Sequence, residues 1–164
     1  MGEEYERLAP QFAATLFALR VGAGNVWVAD DLSAVAMWEG PSSGHDASRL
    51  AEDMWASYRE QAGPHVFERL LAYEHGVGAA APTGPYWYLG VLATAPARQG
   101  EGLATAVLAP VLEQSDQSGV ACCLETSTEG NRRFYEHRGF GEATDVSIPA
   151  GPPTWWLRRP PAKQ

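Results

Sequence analysis

The stretch that most constrains this chain runs from Tyr86 to Val111. Tyr86 to Leu92 is an aromatic and β-branched run that predicts a central strand, and strand residues continue through Thr94. Ala95-Pro96-Ala97-Arg98-Gln99-Gly100-Glu101-Gly102-Leu103-Ala104 breaks the extended pattern, after which Leu103, Val107 and Val111 recur at helical spacing. A strand that enters a helix through a glycine turn exposes backbone N–H groups, with the positive end of the helix behind them. Gln99 to Thr105 therefore has the design of a cradle for phosphate or pyrophosphate. No Lys-Ser or Lys-Thr pair follows the glycines, which excludes a Walker loop, and no third glycine or alanine completes a dinucleotide fingerprint. Taken by itself, the segment reads equally as a tight connection whose glycines serve close packing. Pro110 lies inside the following helix and predicts a kink there.

The rest of the chain supplies a sheet and helices around that unit. Leu8, Phe12, Leu16 and Leu19 give an amphipathic helix, and Val26-Trp27-Val28-Ala29 and Ala34 to Trp38 give a hairpin turning at Asp30-Asp31. Gly40-Pro41-Ser42-Ser43-Gly44 breaks the chain before two further helices, one with Leu50, Met54 and Tyr58 on its face. The other starts at Pro64, carries Val66, Leu70 and Tyr73 inward, and fades at Gly76, leaving Gly76 to Pro85 as a loop. Ala121 to Thr126 is a buried-type strand, Asn131 to Arg138 a short helix ended by Gly139, and Phe140 to Val146 another strand. A last strand, Thr154 to Arg159, leads to a Pro-rich end at 160–164 that is expected to fray. The expected class is α+β with α/β-type layers, a mixed central sheet flanked by helices, in a single domain over 1–164.

Chemistry enters when a second segment joins the first. Asn131-Arg132-Arg133-Phe134-Tyr135-Glu136-His137-Arg138-Gly139-Phe140 places a Tyr on a short helix that ends in Gly-Phe and runs into a strand. Gln99-x-x-Gly102-x-Ala104 resembles the acetyl-CoA motif of the GNAT superfamily of N-acetyltransferases, and Phe134-Tyr135-x-x-x-Gly139-Phe140 resembles its later motif, in the usual order. Within that superfamily the chain is similar to the puromycin N-acetyltransferases in Val26 to Asp31, in Leu124-Glu125-Thr126-Ser127 and in Phe134-Tyr135-Glu136, with 39–85 poorly matched.

The resemblance implies an enzyme that moves acetyl from acetyl-CoA to a small-molecule amine, with a puromycin-like aminonucleoside as first candidate. Carried over by position, Leu92, Ala93 and Thr94 offer main-chain groups to the pantetheine arm. Gln99, Gly100, Glu101, Gly102, Leu103, Ala104 and Thr105 hold the pyrophosphate, with Arg98 offsetting the Glu101 charge. Tyr135 becomes the general acid. Many members carry an Asn seven residues before that Tyr, where this chain has Thr128, so Asn131 stands as the cofactor contact instead. The superfamily's opening strand and helix also lack a counterpart before Gly24. The first helix is expected either to pack on the sheet where they would lie or to meet the same helix of a second copy, so that a homodimer is one of two expected outcomes.

Glu125 sits in an otherwise apolar strand, where a carboxylate is costly unless hydrogen-bonded, and it is read either as the catalytic base or as a structural acceptor. Trp27, Trp38, Trp55, Tyr86 and Trp87 supply an aromatic wall for a planar base or else ordinary core. Cys122 and Cys123 are neighbours in a strand, read as packing. His45, His65, His75 and His137 have no metal-ligand spacing, so no metal is expected. Two other readings compete. Gly40-x-Ser42-x-Gly44 has the spacing of a hydrolase nucleophile elbow, although Pro41 would stiffen it, and a GNAT-like module could bind acyl-CoA without catalysis. Gly76-x-Gly78-x-x-Ala81 mimics a dinucleotide fingerprint but reads as loop. A net charge of -8 disfavours nucleic acid and anionic membranes. Glu3, Glu4 and Glu6 before the first apolar run are the wrong charge for a signal segment, so a cytoplasmic location, where acetyl-CoA is made, is expected.

Overall fold

The period-2 stretches come together in one six-stranded sheet in the computed structural model, which describes residues 3–41, 56 and 58–162. The order is α1 (Glu3–Gly22), β1 (Val26–Val28), β2 (Ala34–Glu39), α2 (Pro64–Ala79), β3 (Tyr86–Thr94), a 3-10 turn at Pro96–Arg98, α3 (Leu103–Ser118), β4 (Ala121–Thr126), α4 (Glu129–Glu136), β5 (Glu142–Val146) and β6 (Thr154–Arg159). Residues 58–62 are helical as well. Across the sheet the strands lie β1-β2-β3-β4-β6-β5. Only β3 and β4 run parallel, because α3 carries the chain back between them.

Alternation divides the side chains between two faces. Trp38, Trp87, Leu89, Cys122 and Leu124 pack with Leu108 and Val111 of α3 and with Phe140. Cys123 and Trp156 pack on the opposite face with Val77 of α2 and Val146. The adjacent cysteines are thus free thiols buried on different sides of β4.

Several boundaries differ from the sequence pattern, β1 ending at Val28, β2 at Glu39 and α4 at Glu136 among them. α2 continues through Gly76 and Gly78 to Ala79 rather than fading at Gly76. Tertiary contacts override the weak helix propensity of glycine there: a Cβ on Gly76 would lie 2.8 Å from the Ser147 carbonyl oxygen, and Trp156 Nε1 donates to the Val77 carbonyl at 2.8 Å. The close approach needs glycine, and the indole bond holds the added turn against β6. At the other end of the sheet, β5 begins at Glu142, since Gly139, at φ +89°, and Phe140 close off α4 first. α4 begins at Glu129, with the Thr128 hydroxyl accepting the Asn131 N–H at 3.2 Å as its cap. α3 stays helical through Pro110.

The inner stripe of α1 meets helical neighbours rather than the sheet. Leu8 is buried with Tyr58 and Ala62, and Phe12 lies edge-on to Tyr58 at 5.6 Å. The sheet is reached at the far end, where buried Arg20 donates to Glu39 Oε1 at 2.5 Å and lies over Gly90, whose absent Cβ would sit 2.5 Å from the guanidinium. Among the described residues no strand precedes β1. The Pro-rich end is tied down as far as Ala162: Arg159 grips Asp116 of α3 with two bonds of 2.8 and 2.7 Å, and the Ala162 N–H donates to the same carboxylate. Ser42, Gly44, His45, Leu50, Met54 and Trp55 lie outside the described residues.

Candidate active site

The site is made by a fault in the sheet. β3 pairs with β4 only through Tyr86, Tyr88 and the residue between them, against Ala121 to Cys123. Beyond that point β3 keeps its bonds to β2 alone as far as Thr94, and the two parallel strands part. A register shift at Met37/Trp38 leaves Gly90 as the extra residue of β3, where the strand bends away. The outer half of β3, where Leu92, Ala93 and Thr94 stand, consequently has no strand partner on its β4 side, although the Thr94 carbonyl accepts the Gln99 side-chain amide at 3.5 Å.

A cavity of about 560 Å³ fills the opening on the α3 side. It is bounded by Leu92, Ala93 and Thr94, by the loop residues Gln99, Gly100, Gly102, Leu103, Ala104 and Thr105, and by Asn131 and Tyr135 from α4. The two sequence motifs, far apart in the chain, meet here. Gly100 and Gly102 have φ of +86° and +83°, a backbone state that glycine adopts without strain, and a Cβ on either would point into open space. Gly102 caps α3 without a side-chain bond, so the first N–H groups of that helix have no protein acceptor. Orphan donors at a helix start, beside an open glycine turn, fit a pyrophosphate on the chemistry of the donor set.

Two residues expected at the site lie elsewhere. Glu101 turns away to accept from Arg98 Nε at 2.7 Å, and it does not line the cavity. Arg98 also bonds Asp31, whose carboxyl is held at about 2 by the Ser33 hydroxyl and backbone N–H together with Arg98. Glu125 lies on the opposite face of β4. Its Oε1 accepts the Tyr88 hydroxyl at 2.9 Å, while Oε2 is shielded from solvent without a partner. Burial raises its pKa above the ordinary carboxylate value, the Tyr88 bond opposing the shift, with Glu74 and Glu39 adding repulsion. Tyr73 faces the same carboxylate, and burial is the main reason the phenols of both Tyr73 and Tyr88 hold their protons well above the usual value.

Tyr135 packs edge-on between Phe134 at 5.1 Å and Phe140 at 5.7 Å. Burial, then the Glu125 charge, pushes its phenol up to about 12, so it stays protonated at neutral pH. Glu125 and Tyr135 thus flank the parting of β3 and β4 from opposite faces. The aromatic wall is only partly present: Trp38 and Trp87 are core, Trp27 packs against them, and Tyr86 faces Trp156 at 6.0 Å on the Glu125 side. Sequence reasoning passed over Arg98, Gly130, Phe134 and Arg138 as lining residues. For Phe134 and Arg138 the signal was present in the second motif, because they recur with Asn131 and Tyr135 at helical intervals through α4 and the turn that follows it.

Parallel strands β3 and β4 that part within one sheet, with a glycine loop above the opening, are the features to set beside known proteins. The acetyltransferase (GNAT) family model matches residues 30–140, more than half of the chain, and the chain belongs to that family. An uncharacterised N-acetyltransferase of Schizosaccharomyces pombe is 24% identical over 146 residues, covering 84% of this chain and 59% of the yeast protein. The chain thus spans less than two thirds of that curated relative. Among solved structures, one titled histone acetyltransferase HPA2 and related acetyltransferase, from Corynebacterium glutamicum, superposes with a TM-score of 0.57 at 19% identity, over 92% of this chain and 74% of its own. An N-acetyltransferase of Staphylococcus aureus Mu50 gives 0.56 at 15% identity, over 85% and 72%. At such identities the likeness is one of fold.

Proposed function

We propose that this chain is an acetyl-CoA-dependent N-acetyltransferase acting on a small free amine, by direct transfer within a ternary complex. The observation that carries this reading is the opening between β3 and β4, with an anion-accepting loop and a protonated phenol on one face and a buried carboxylate on the other. Acetyl-CoA supplies the activated acyl group when bound. Gln99, Gly100 and Gly102 to Thr105 would hold its pyrophosphate, the main chain of Leu92 to Thr94 would line its pantetheine arm, and Asn131 would add a contact from α4.

An alkylammonium near pKa 10.4 must lose a proton before it can attack. Glu125, its pKa raised by burial, would accept that proton at Oε2 through a water admitted with the amine, since Oε2 is closed to bulk solvent, while Tyr88 fixes Oε1. Tyr135 donates its hydrogen bond to the sulfur as negative charge builds there. A phenol at about 12 holds its proton more tightly than an ordinary thiol near 8.5, so Tyr135 would act by hydrogen-bonding the departing thiolate, with the proton passing to sulfur only as far as the thiolate is itself desolvated. Neither cysteine supports an acyl-enzyme, since burial pushes Cys122 up to about 11 and Cys123 up to about 12.

For the acceptor, the runs Val26 to Asp31 and Leu124 to Ser127 favour a puromycin-like aminonucleoside, for which acetylation would confer antibiotic resistance in the cytoplasm. Tyr73, Tyr86, Tyr88 and Trp156 are aromatic groups on that side of the sheet. Exposed Phe17 and Val21 on α1 and Val28 on the edge strand support a homodimer through that margin. The decisive experiment follows release of CoA thiol from acetyl-CoA with puromycin, aminoacyl and amino-sugar compounds, polyamines and peptides. Puromycin with the highest kcat/KM supports the full reading. Faster turnover of peptides or polyamines removes the aminonucleoside, and CoA binding without thiol release from any amine leaves only a non-catalytic module. Light scattering that returns a monomer removes the homodimer.

A further inference from the structure

The charge around the glycine loop poses a problem for a polyanionic ligand. Arg98, the nearest cation in sequence, is spent on Glu101 and Asp31, so that trio carries a surplus of negative charge. Among the described residues, the guanidinium on the cavity wall with no carboxylate within 4 Å is Arg138. It stands just beyond the end of α4 and is half-buried. Its Nη1 donates to the Phe134 carbonyl at 2.7 Å, and its Nε and Nη2 donate to Thr105 Oγ1 at 3.2 and 2.6 Å. The plane lies over the Phe134 ring at 3.5 Å. Of the five donors of a guanidinium, three are used, leaving one N–H on each terminal nitrogen. That pair is the fork that takes two oxygens of one phosphate group.

We propose that Arg138 is a phosphate ligand of the cofactor, clamping it against the first turn of α3 opposite the glycine loop. The proposal rests on the acetyl-CoA reading and extends it. Phe134 and Thr105 are positioning residues: the ring supports the cation and the hydroxyl fixes its fork before the ligand arrives, which reduces the ordering cost of binding. Thr105 also belongs to the loop's own helix turn, so one bond ties the two motifs of the family to each other through Arg138.

The test is calorimetric binding of CoA, 3′-dephospho-CoA and pantetheine to the wild type and to Arg138→Gln, Arg138→Lys and Thr105→Val. A charge-assisted bond to phosphate predicts that Arg138→Gln weakens CoA about 10- to 100-fold. Pantetheine, which has no phosphate, should bind all four proteins alike. Arg138→Lys restores the charge without the fork and recovers part of the loss, and Thr105→Val, which leaves the end of α4 intact, gives a smaller loss with the same dependence on phosphate. A full loss retained with 3′-dephospho-CoA assigns the clamp to the pyrophosphate; a loss that disappears with it assigns the clamp to the 3′-phosphate. Equal weakening of pantetheine and CoA makes Arg138 merely structural and overturns the proposal. Unchanged CoA affinity in both Arg138→Lys and Thr105→Val overturns it as well, should Arg138→Gln fail to fold. A wild type that binds no CoA at all brings down the acetyl-CoA reading itself, a result distinct from any of these.

Discussion

The two faces of the sheet at the β3–β4 opening are built on opposite principles. On the α3 face the groups are local in sequence and largely backbone: a glycine turn, a helix start and one short helix that, with the turn after it, supplies Asn131, Phe134, Tyr135 and Arg138. On the α2 face they are side chains drawn from four separate elements, with Glu39 on β2, Tyr73 and Glu74 on α2, Tyr88 on β3 and Glu125 on β4. The first face offers donors and cationic potential. The second offers carboxylates whose burial and mutual repulsion raise the pKa of Glu74 and Glu125. Under the proposed function, a polyanionic donor and a cationic acceptor would be kept on different sides of one strand, meeting only where the strands part. The lesson is that a cofactor common to many enzymes can be met by backbone geometry, whereas an acceptor specific to one is met by side chains that the fold is free to change.

The largest effect should come from the phenol that closes the donor face. Tyr135→Phe removes the O–H and keeps the ring packed against Phe134 and Phe140, so the fold should persist. We expect turnover to fall by about 10²-fold or more, the range of a general acid, with calorimetric CoA affinity nearly unchanged. Turnover equal to wild type would make Tyr135 a packing residue and leave the α3 face a binding surface only.

How much of each face could be read from the sequence follows from this same contrast. The glycine loop was legible because positive φ and close ligand approach demand glycine at Gly100 and Gly102, and the chain must spell that requirement locally. Strands β4 and β6 were legible to the residue, since their apolar runs are short and bounded by turns. The end of α2 was not, because Gly76 signals a stop to any local reading and only the Ser147 carbonyl explains why it is there. Nor could spacing disclose that Tyr88 and Glu125, 37 residues apart, share a hydrogen bond. That pairing depends on the parallel register of β3 and β4, a tertiary property. Arg138 fell between these cases: its motif was legible, but its value as the unpaired cation appears only once Arg98 is seen to be neutralised.

The second prediction weakens the acidic face. Glu125→Gln should lower kcat/KM by about 10- to 100-fold and abolish the acidic limb of its pH profile, a milder loss than Tyr135→Phe because bulk water can still take the amine proton. Stability should move the other way. A carboxyl whose folded pKa lies above its unfolded value binds its proton more tightly when folded, so the charged form costs the fold stability above both values. Glu125→Gln should melt above the wild type at pH 8, with the gap closing toward pH 4 as the wild-type carboxyl takes its proton. A lower Tm at pH 8 would mean that the charge is compensated in the fold and that Oε2 is not held in readiness for a proton.

The smallest effect, and the sharpest test of how the faces divide their work, concerns Tyr88. Its hydroxyl stabilises the Glu125 carboxylate and so opposes the upward pull of burial and of the neighbouring charges. Tyr88→Phe removes that bond and nothing else of the ring, which lies 5.7 Å from Trp156. The Glu125 pKa should then rise further. In the pH profile of kcat/KM the base is active above its pKa, so the acidic limb should move to higher pH, while the rate on the plateau falls only a few-fold, by roughly the worth of one hydrogen bond. CoA affinity should not change, since Tyr88 does not border the donor cavity. A limb that stays in place would show that another group titrates there. A limb that moves together with a loss of CoA affinity would show that the opening between β3 and β4 transmits strain from one face to the other, and the separation of donor and acceptor sides would then be a matter of position rather than of energy.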